Sequence, residues 1–60
     1  MTPERIRNIR KALNLTQNQL GKRVNQSGRT VENWEQGANV PNGAAQLILK
    51  QLEASISKEK

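Results

Sequence analysis

The sequence predicts an all-α domain of four helices, or five, within residues 1–56, followed by a frayed tail at 57–60. Three observations carry that expectation. Helix-start signals recur along the chain, apolar residues follow them at spacings of three and four, and no stretch alternates apolar with polar as a half-buried strand does. Thr2-Pro3-Glu4 opens the first helix, with Thr2 as cap, Pro3 in the first turn and Glu4 against the positive end of the dipole. Ile6, Ile9 and Leu13 then share one face, and Asn14 supplies the left-handed residue that ends the helix.

Thr16-Gln17-Asn18-Gln19 reads as a capping box for a second helix over about residues 17–23, with Leu20 and Val24 inward. Asn25 is the turn residue after it. Ser27 caps a third helix that runs to about Gln36, with Val31 and Trp34 inward, and Gly37 stops it. Ala38 to Pro41 is a loop, in which the proline holds Val40 extended. Asn42 caps the fourth helix, whose inner face is read as Ala44, Leu47, Ile48, Leu52 and Ile56. The expected core is Ile6, Ile9, Leu13, Leu15, Leu20, Val24, Val31, Trp34, Leu47, Ile48 and Leu52.

Sixty residues without cysteine or histidine argue against several function classes. There is no disulfide framework, no thiolate metal site, and neither the commonest general base nor the commonest metal ligand. No enzyme, no cofactor, no metal and no small-molecule ligand are therefore expected. No apolar run approaches the roughly 20 residues of a membrane span, and the N-terminus lacks a signal-peptide pattern, so a cytoplasmic, bacterial or phage-encoded chain is expected. The charge is +5 overall and uneven along the chain. Residues 1–29 hold seven basic side chains against Glu4 alone, while residues 30–60 hold three against four carboxylates. A basic surface of this kind suits a phosphate-bearing partner.

The second and third helices, joined by a tight turn at about residues 16–36, form a helix-turn-helix unit. A helix fits the DNA major groove, where exposed polar side chains read base edges. With Val31 and Trp34 inward, the outward residues of the third helix are Gly28, Arg29, Glu32, Asn33 and Gln36. Trp34, the lone aromatic residue, is placed in the core by its spacing from Val31 rather than on a stacking surface.

Leu15-Thr16-Gln17, Leu20, Val24, Ser27, Thr30-Val31, Trp34-Glu35, Gly37 and Pro41, in that order, resemble the Cro/C1-type (XRE) helix-turn-helix family over about residues 5–53. The resemblance implies a lambda-repressor-like fold and a partner of double-stranded DNA. It implies base reading by Arg29 and Asn33, with Gln26 and Glu32 as flanking contacts; Arg suits guanine O6 and N7, and Asn suits adenine N6 and N7. It implies that Gln17 grips a phosphate, joined by Ser27, Thr30, Gln36 and Lys22. Glu32 could accept from a cytosine N4, hold Arg29 in place, or simply repel mismatched sites. Arg10 and Glu35 are implied to pair between the first and third helices. The chain departs from the family pattern at Gly28, where relatives often carry a long polar reader, at Gly21, usually alanine, and at Asn25, often glycine.

The function implied is sequence-specific DNA binding as a transcriptional repressor of the chain's own operon. A homodimer on an inverted repeat, with half-sites about one DNA turn apart, would raise affinity, and Leu49, Leu52 and Ile56 are candidates for its seam. The Trp-Glu-x-Gly segment, the proline and the Ala-rich helix start also resemble phage or mobile-element autorepressors of the anti-CRISPR-associated kind. Two other readings stay open: an antitoxin that autoregulates a toxin–antitoxin pair, and a protein–protein adaptor built on the same fold.

Overall fold

The computed structural model describes the backbone of residues 1–58 and the side chains of residues 1–56. Four helices follow in order: α1 (Pro3–Ala12), α2 (Gln17–Arg23), α3 (Gly28–Gln36) and α4 (Gly43–Lys58). No strand occurs among the described residues, and no helix there is long and apolar enough to cross a membrane. The all-α expectation holds, with four helices among the described residues.

Each helix starts on a side-chain acceptor. Thr2 Oγ1 accepts from the Arg5 N–H at 3.1 Å. Thr16 Oγ1 accepts from the Gln19 N–H at 3.1 Å while Gln19 Oε1 accepts from the Thr16 N–H at 2.8 Å, which completes the capping box. Ser27 Oγ accepts from Thr30 N–H at 3.1 Å, and Asn42 Oδ1 from Ala45 N–H at 2.9 Å. Such caps are worth about 0.5–2 kcal/mol each.

Three helices end by one device. Asn14 and Asn25 both stand at φ 60°, and Gly37 at φ 80°. Behind Asn14, Leu15 N–H donates to Arg10 O at 3.0 Å and Asn14 N–H to Lys11 O at 3.0 Å. Behind Asn25, Gln26 N–H donates to Gly21 O at 2.7 Å and Asn25 N–H to Lys22 O at 3.5 Å. Behind Gly37, Ala38 N–H donates to Asn33 O at 3.0 Å and Gly37 N–H to Trp34 O at 3.2 Å. These paired bonds satisfy carbonyls that a helix end leaves orphaned. Asparagine serves at two of the three positions because it tolerates the left-handed conformation better than most residues.

The second of these caps is the turn of the helix-turn-helix, and it explains Gly21. A Cβ there would stand 2.6 Å from Gln26 O and 2.9 Å from Ser27 C and O. The missing side chain lets the turn fold directly onto α2.

The core consists of Ile6, Ile9, Leu20, Val24, Val31, Trp34, Ala45 and Leu49. Leu13, Leu15, Ile48, Leu52 and Ile56 pack against it half-buried. Two expectations for α4 are corrected. Leu47 is 60% exposed and Leu49 fully buried, so Leu47 leaves the core and Leu49 cannot contribute to a dimer seam. The inner face is Ala45, Leu49, Leu52 and Ile56, at spacings of four, three and four, and Ala44 is exposed. The segment from Ala44 to Leu49 is apolar at nearly every position, so periodicity alone leaves two phases open. The phase observed is the one that buries Ala45 and Leu49 in the core, and in it Glu53 turns toward α1. Arg5 on α1 donates through Nε to Glu53 Oε2 at 2.8 Å and through Nη2 to Oε1 at 2.5 Å. Of the tail expected at 57–60, residues 57 and 58 continue α4, and Glu59 and Lys60 lie outside the described residues.

Candidate nucleic-acid interface

Val31 and Trp34, 0% and 3% exposed, anchor the inner side of α3 against the rest of the molecule. Burial removes Trp34 as a stacking platform. The opposite side of the helix carries Arg29, exposed, with Asn33 and Glu32 half-buried and Gln36 exposed. Among the described residues, neither the Arg29 guanidinium nor the Asn33 carboxamide takes a hydrogen-bond partner, so both keep their full donor capacity. Glu32 does not hold Arg29. Its Oε2 accepts from Gln36 Nε2 at 3.4 Å, one turn along the same helix. That contact places the two residues together at the far end of the face, and among the described residues no carboxylate restrains Arg29.

The start of α3 is crowded with small polar groups. Ser27 and Thr30 hydroxyls lie 3.0 Å apart. One hydrogen is shared between them, so the pair retains a single O–H to donate outward. Gln26, half-buried, and Lys22, exposed, flank this end from the turn and from α2. Eight of the sequence-derived contacts (Lys22, Gln26, Ser27, Arg29, Thr30, Glu32, Asn33 and Gln36) thus belong to the turn, to α3 or to α2.

Behind this face sits one buried carboxylate. Glu35 is 6% exposed and is met by α1 and α2 together. Arg10 donates to it twice, Nε to Oε2 at 2.6 Å and Nη2 to Oε1 at 3.0 Å, in the bidentate geometry that suits arginine. Arg10 Nη1 also donates to Leu15 O at 3.2 Å, which ties α1 to the approach to α2. Gln17 Nε2 donates to Glu35 Oε1 at 3.4 Å. Gln17 is therefore half-buried and partly committed inward, with its second N–H still unassigned. Burial pushes the Glu35 carboxyl up, but the hydrogen bonds from Arg10 and Gln17 and the charges of Arg10 and Arg7 outweigh it and hold the group below the ordinary carboxylate value. The bond to Glu35 in turn raises the Arg10 guanidinium.

Sequence reasoning did not find Arg7. Its Nη2 donates to the Glu35 backbone oxygen at 3.0 Å, and its Nε stands 3.7 Å from Oε1. Arg7 thus covers a carbonyl near the end of α3 while adding a second positive charge beside the carboxylate. The only signal for it was its place one turn before Arg10 on α1. Asn18 also went unremarked beyond the capping box, yet its side chain lies against Gly28.

A family model described as Helix-turn-helix matches residues 6–58. The antitoxin HigA-2 of Vibrio cholerae is 40% identical over 53 residues, which is 88% of this chain and 51% of that protein. The chain spans about half the length of the curated relative it matches.

Proposed function

The chain belongs to the Cro/C1-type helix-turn-helix family, and we propose that it binds double-stranded DNA sequence-specifically as a repressor of its own operon. The observation that carries this reading is the outward face of α3, where Arg29 and Asn33 take no partner among the described residues, on a helix anchored through Val31, Trp34 and Glu35. Arg29 takes guanine and Asn33 takes adenine, with Gln26 and Glu32 at the flanks. Gln17, Lys22, Gln36 and the free hydroxyl of the Ser27–Thr30 pair contact phosphates and set the register. A homodimer on an inverted repeat supplies the second half-site. With Leu49 buried, a seam on α4 would use either exposed Leu47 or the half-buried edges of Leu52 and Ile56, which lie on the other side of the helix.

A second reading is favoured by a specific similarity. The relative named antitoxin HigA-2 supports placing this chain as the DNA-binding part of an antitoxin whose partner is a toxin. The two readings are compatible, because an antitoxin can occupy its own promoter. The similarity favours this placement over the phage and anti-CRISPR-associated one.

The test is fluorescence anisotropy with DNA from upstream of the chain's gene and a scrambled control at two salt concentrations. Binding about 10³-fold tighter to the upstream DNA is expected. Equal, weak and steeply salt-dependent binding to both would refute the operator reading. On the cognate site Arg29→Ala is expected to cost about 1–3 kcal/mol and relax one base position, whereas Gln17→Ala weakens all sequences alike. Co-purification of the product of an adjacent gene, retained when Arg29 is replaced, would support the antitoxin reading.

A further inference from the structure

The recognition helix opens on a residue with no side chain, and another element fills the space. The N-terminal residues of such a helix are the ones that reach base edges, yet Gly28 has nothing to reach with. A Cβ built on Gly28 would overlap Asn18 Oδ1 and lie 2.8 Å from Asn18 Cγ and 3.1 Å from Asn18 Cα. The Asn18 carboxamide from α2 therefore rests where the first atoms of a reader at position 28 would stand. Asn18 is exposed, and among the described residues its side chain takes no hydrogen-bond partner. A carboxamide at that place has the donor and acceptor that adenine N6 and N7 require.

We infer that Asn18 is a specificity-determining residue that reads an adenine from the position vacated by Gly28. The inference rests on the DNA-reading role of α3 proposed above. Asn18 and Gly28 act as a pair: the glycine makes room, and α2 supplies the reading group. The base pair it reads is a different one from that contacted by Arg29, since the two side chains come from different helices.

The experiment is selection of binding sites from a randomised double-stranded DNA library by the full chain and by Asn18→Ala, Gly28→Ala, Asn18→Ala/Gly28→Ala and Arg29→Ala. Thermal unfolding of each confirms that it folds. In Gly28→Ala the new methyl displaces the flexible end of Asn18. Both single changes should therefore lose the same A·T preference, by roughly 5- to 150-fold, and the double change should lose no more than Asn18→Ala. Arg29→Ala should lose a different position and keep that one. If Gly28→Ala fails to fold, Asn18→Ala decides alone. A wild-type motif retained unchanged by Asn18→Ala overturns the inference and leaves the operator reading standing. A loss spread evenly over all sequences also overturns it, because that is the signature of a phosphate contact. A wild-type chain that selects no motif overturns the operator reading, and this inference with it.

Discussion

Replacing Gly21 by alanine sets two effects against each other. Alanine is the better helix former by about 1 kcal/mol in a helix interior, so propensity alone predicts a more stable protein. The resemblance points the same way, since relatives usually carry alanine there. The geometry predicts the reverse. The new Cβ would stand 2.6 Å from Gln26 O and 2.9 Å from Ser27 C and O, all backbone atoms of the turn rather than flexible side-chain ends. The turn must retreat by several tenths of an ångström. That retreat strains the 2.7 Å bond from Gln26 N–H to Gly21 O and shifts Ser27, the cap of α3. Overpacking of this kind costs roughly 1–3 kcal/mol, and a weakened hydrogen bond adds about 0.5–1.5 kcal/mol. After the propensity gain of about 1 kcal/mol, the net loss is about 0.5–3.5 kcal/mol, or a fall in Tm of about 2–28 °C for a domain this small. Thermal unfolding followed by far-UV circular dichroism measures it. A Tm equal to or above that of the wild type would show that the turn relaxes freely and would refute the reasoning.

Three other perturbations probe the scaffold. Arg10→Met leaves the Glu35 carboxylate, its side chain 4% exposed, with only Arg7 and Gln17. A fully buried broken pair costs about 3–5 kcal/mol, and the partial exposure of Arg10 brings this to about 2–4 kcal/mol by urea unfolding; a loss under about 1 kcal/mol would mean that Arg7 takes over the carboxylate. Because folding lowers the Glu35 pKa, its contribution is complete above the ordinary value of 4.5 and is lost as pH falls below it. Glu53, held low by the hydrogen bond from Arg5, acts in the same direction. Tm measured from pH 7 to pH 3 should therefore drop less steeply for Glu35→Gln than for wild type, and parallel curves would contradict the assignment. Leu49→Ala should cost about 2–5 kcal/mol and Leu47→Ala no more than about 0.5 kcal/mol; equal costs would return the phase of α4 to the one read from the sequence.

What the sequence disclosed was chiefly what local chemistry decides. Thr16 and Gln19 sit three residues apart, so their reciprocal bonds can be read without knowing anything else of the fold. The same is true of Asn14, Asn25 and Gly37, whose residue types announce the left-handed turns that end three helices. The phase of α4 is not legible in the sequence, because a segment apolar at nearly every position gives periodicity little to act on, and what selects the buried face is the core that Ala45 and Leu49 join across the molecule. Distance along the chain hid the Glu35 cluster in the same way. Arg10 and Glu35 are 25 residues apart, and only the family resemblance paired them; Arg7, which no family motif marked, was missed. Gly28 shows in the sequence as a missing reader, but the side chain that fills its place belongs to another helix and meets it only in three dimensions.

The Glu35 cluster also accounts for how a carboxylate can sit beside an interface meant for a polyanion. A lone buried glutamate behind Gln17 would repel the phosphate that Gln17 is proposed to hold. Two guanidiniums meet this one carboxylate, so the cluster as a whole is positive. Arg10 is largely enclosed, while the Arg7 side chain is 44% exposed, and the surplus charge therefore lies on the solvent side. Gln17 adds no charge and joins the cluster through one N–H, which leaves the other for an outward acceptor. A phosphate bound there would sit against an amide already oriented by Glu35, with Arg7 and Arg10 behind it. The same side chains would then do two jobs. They fix the end of α3 against α1 and α2, and they would couple the proposed phosphate grip to the orientation of the proposed reading helix. Loosening either should weaken both, and for that reason Arg10→Met is expected to lower DNA affinity even at temperatures where the variant remains folded.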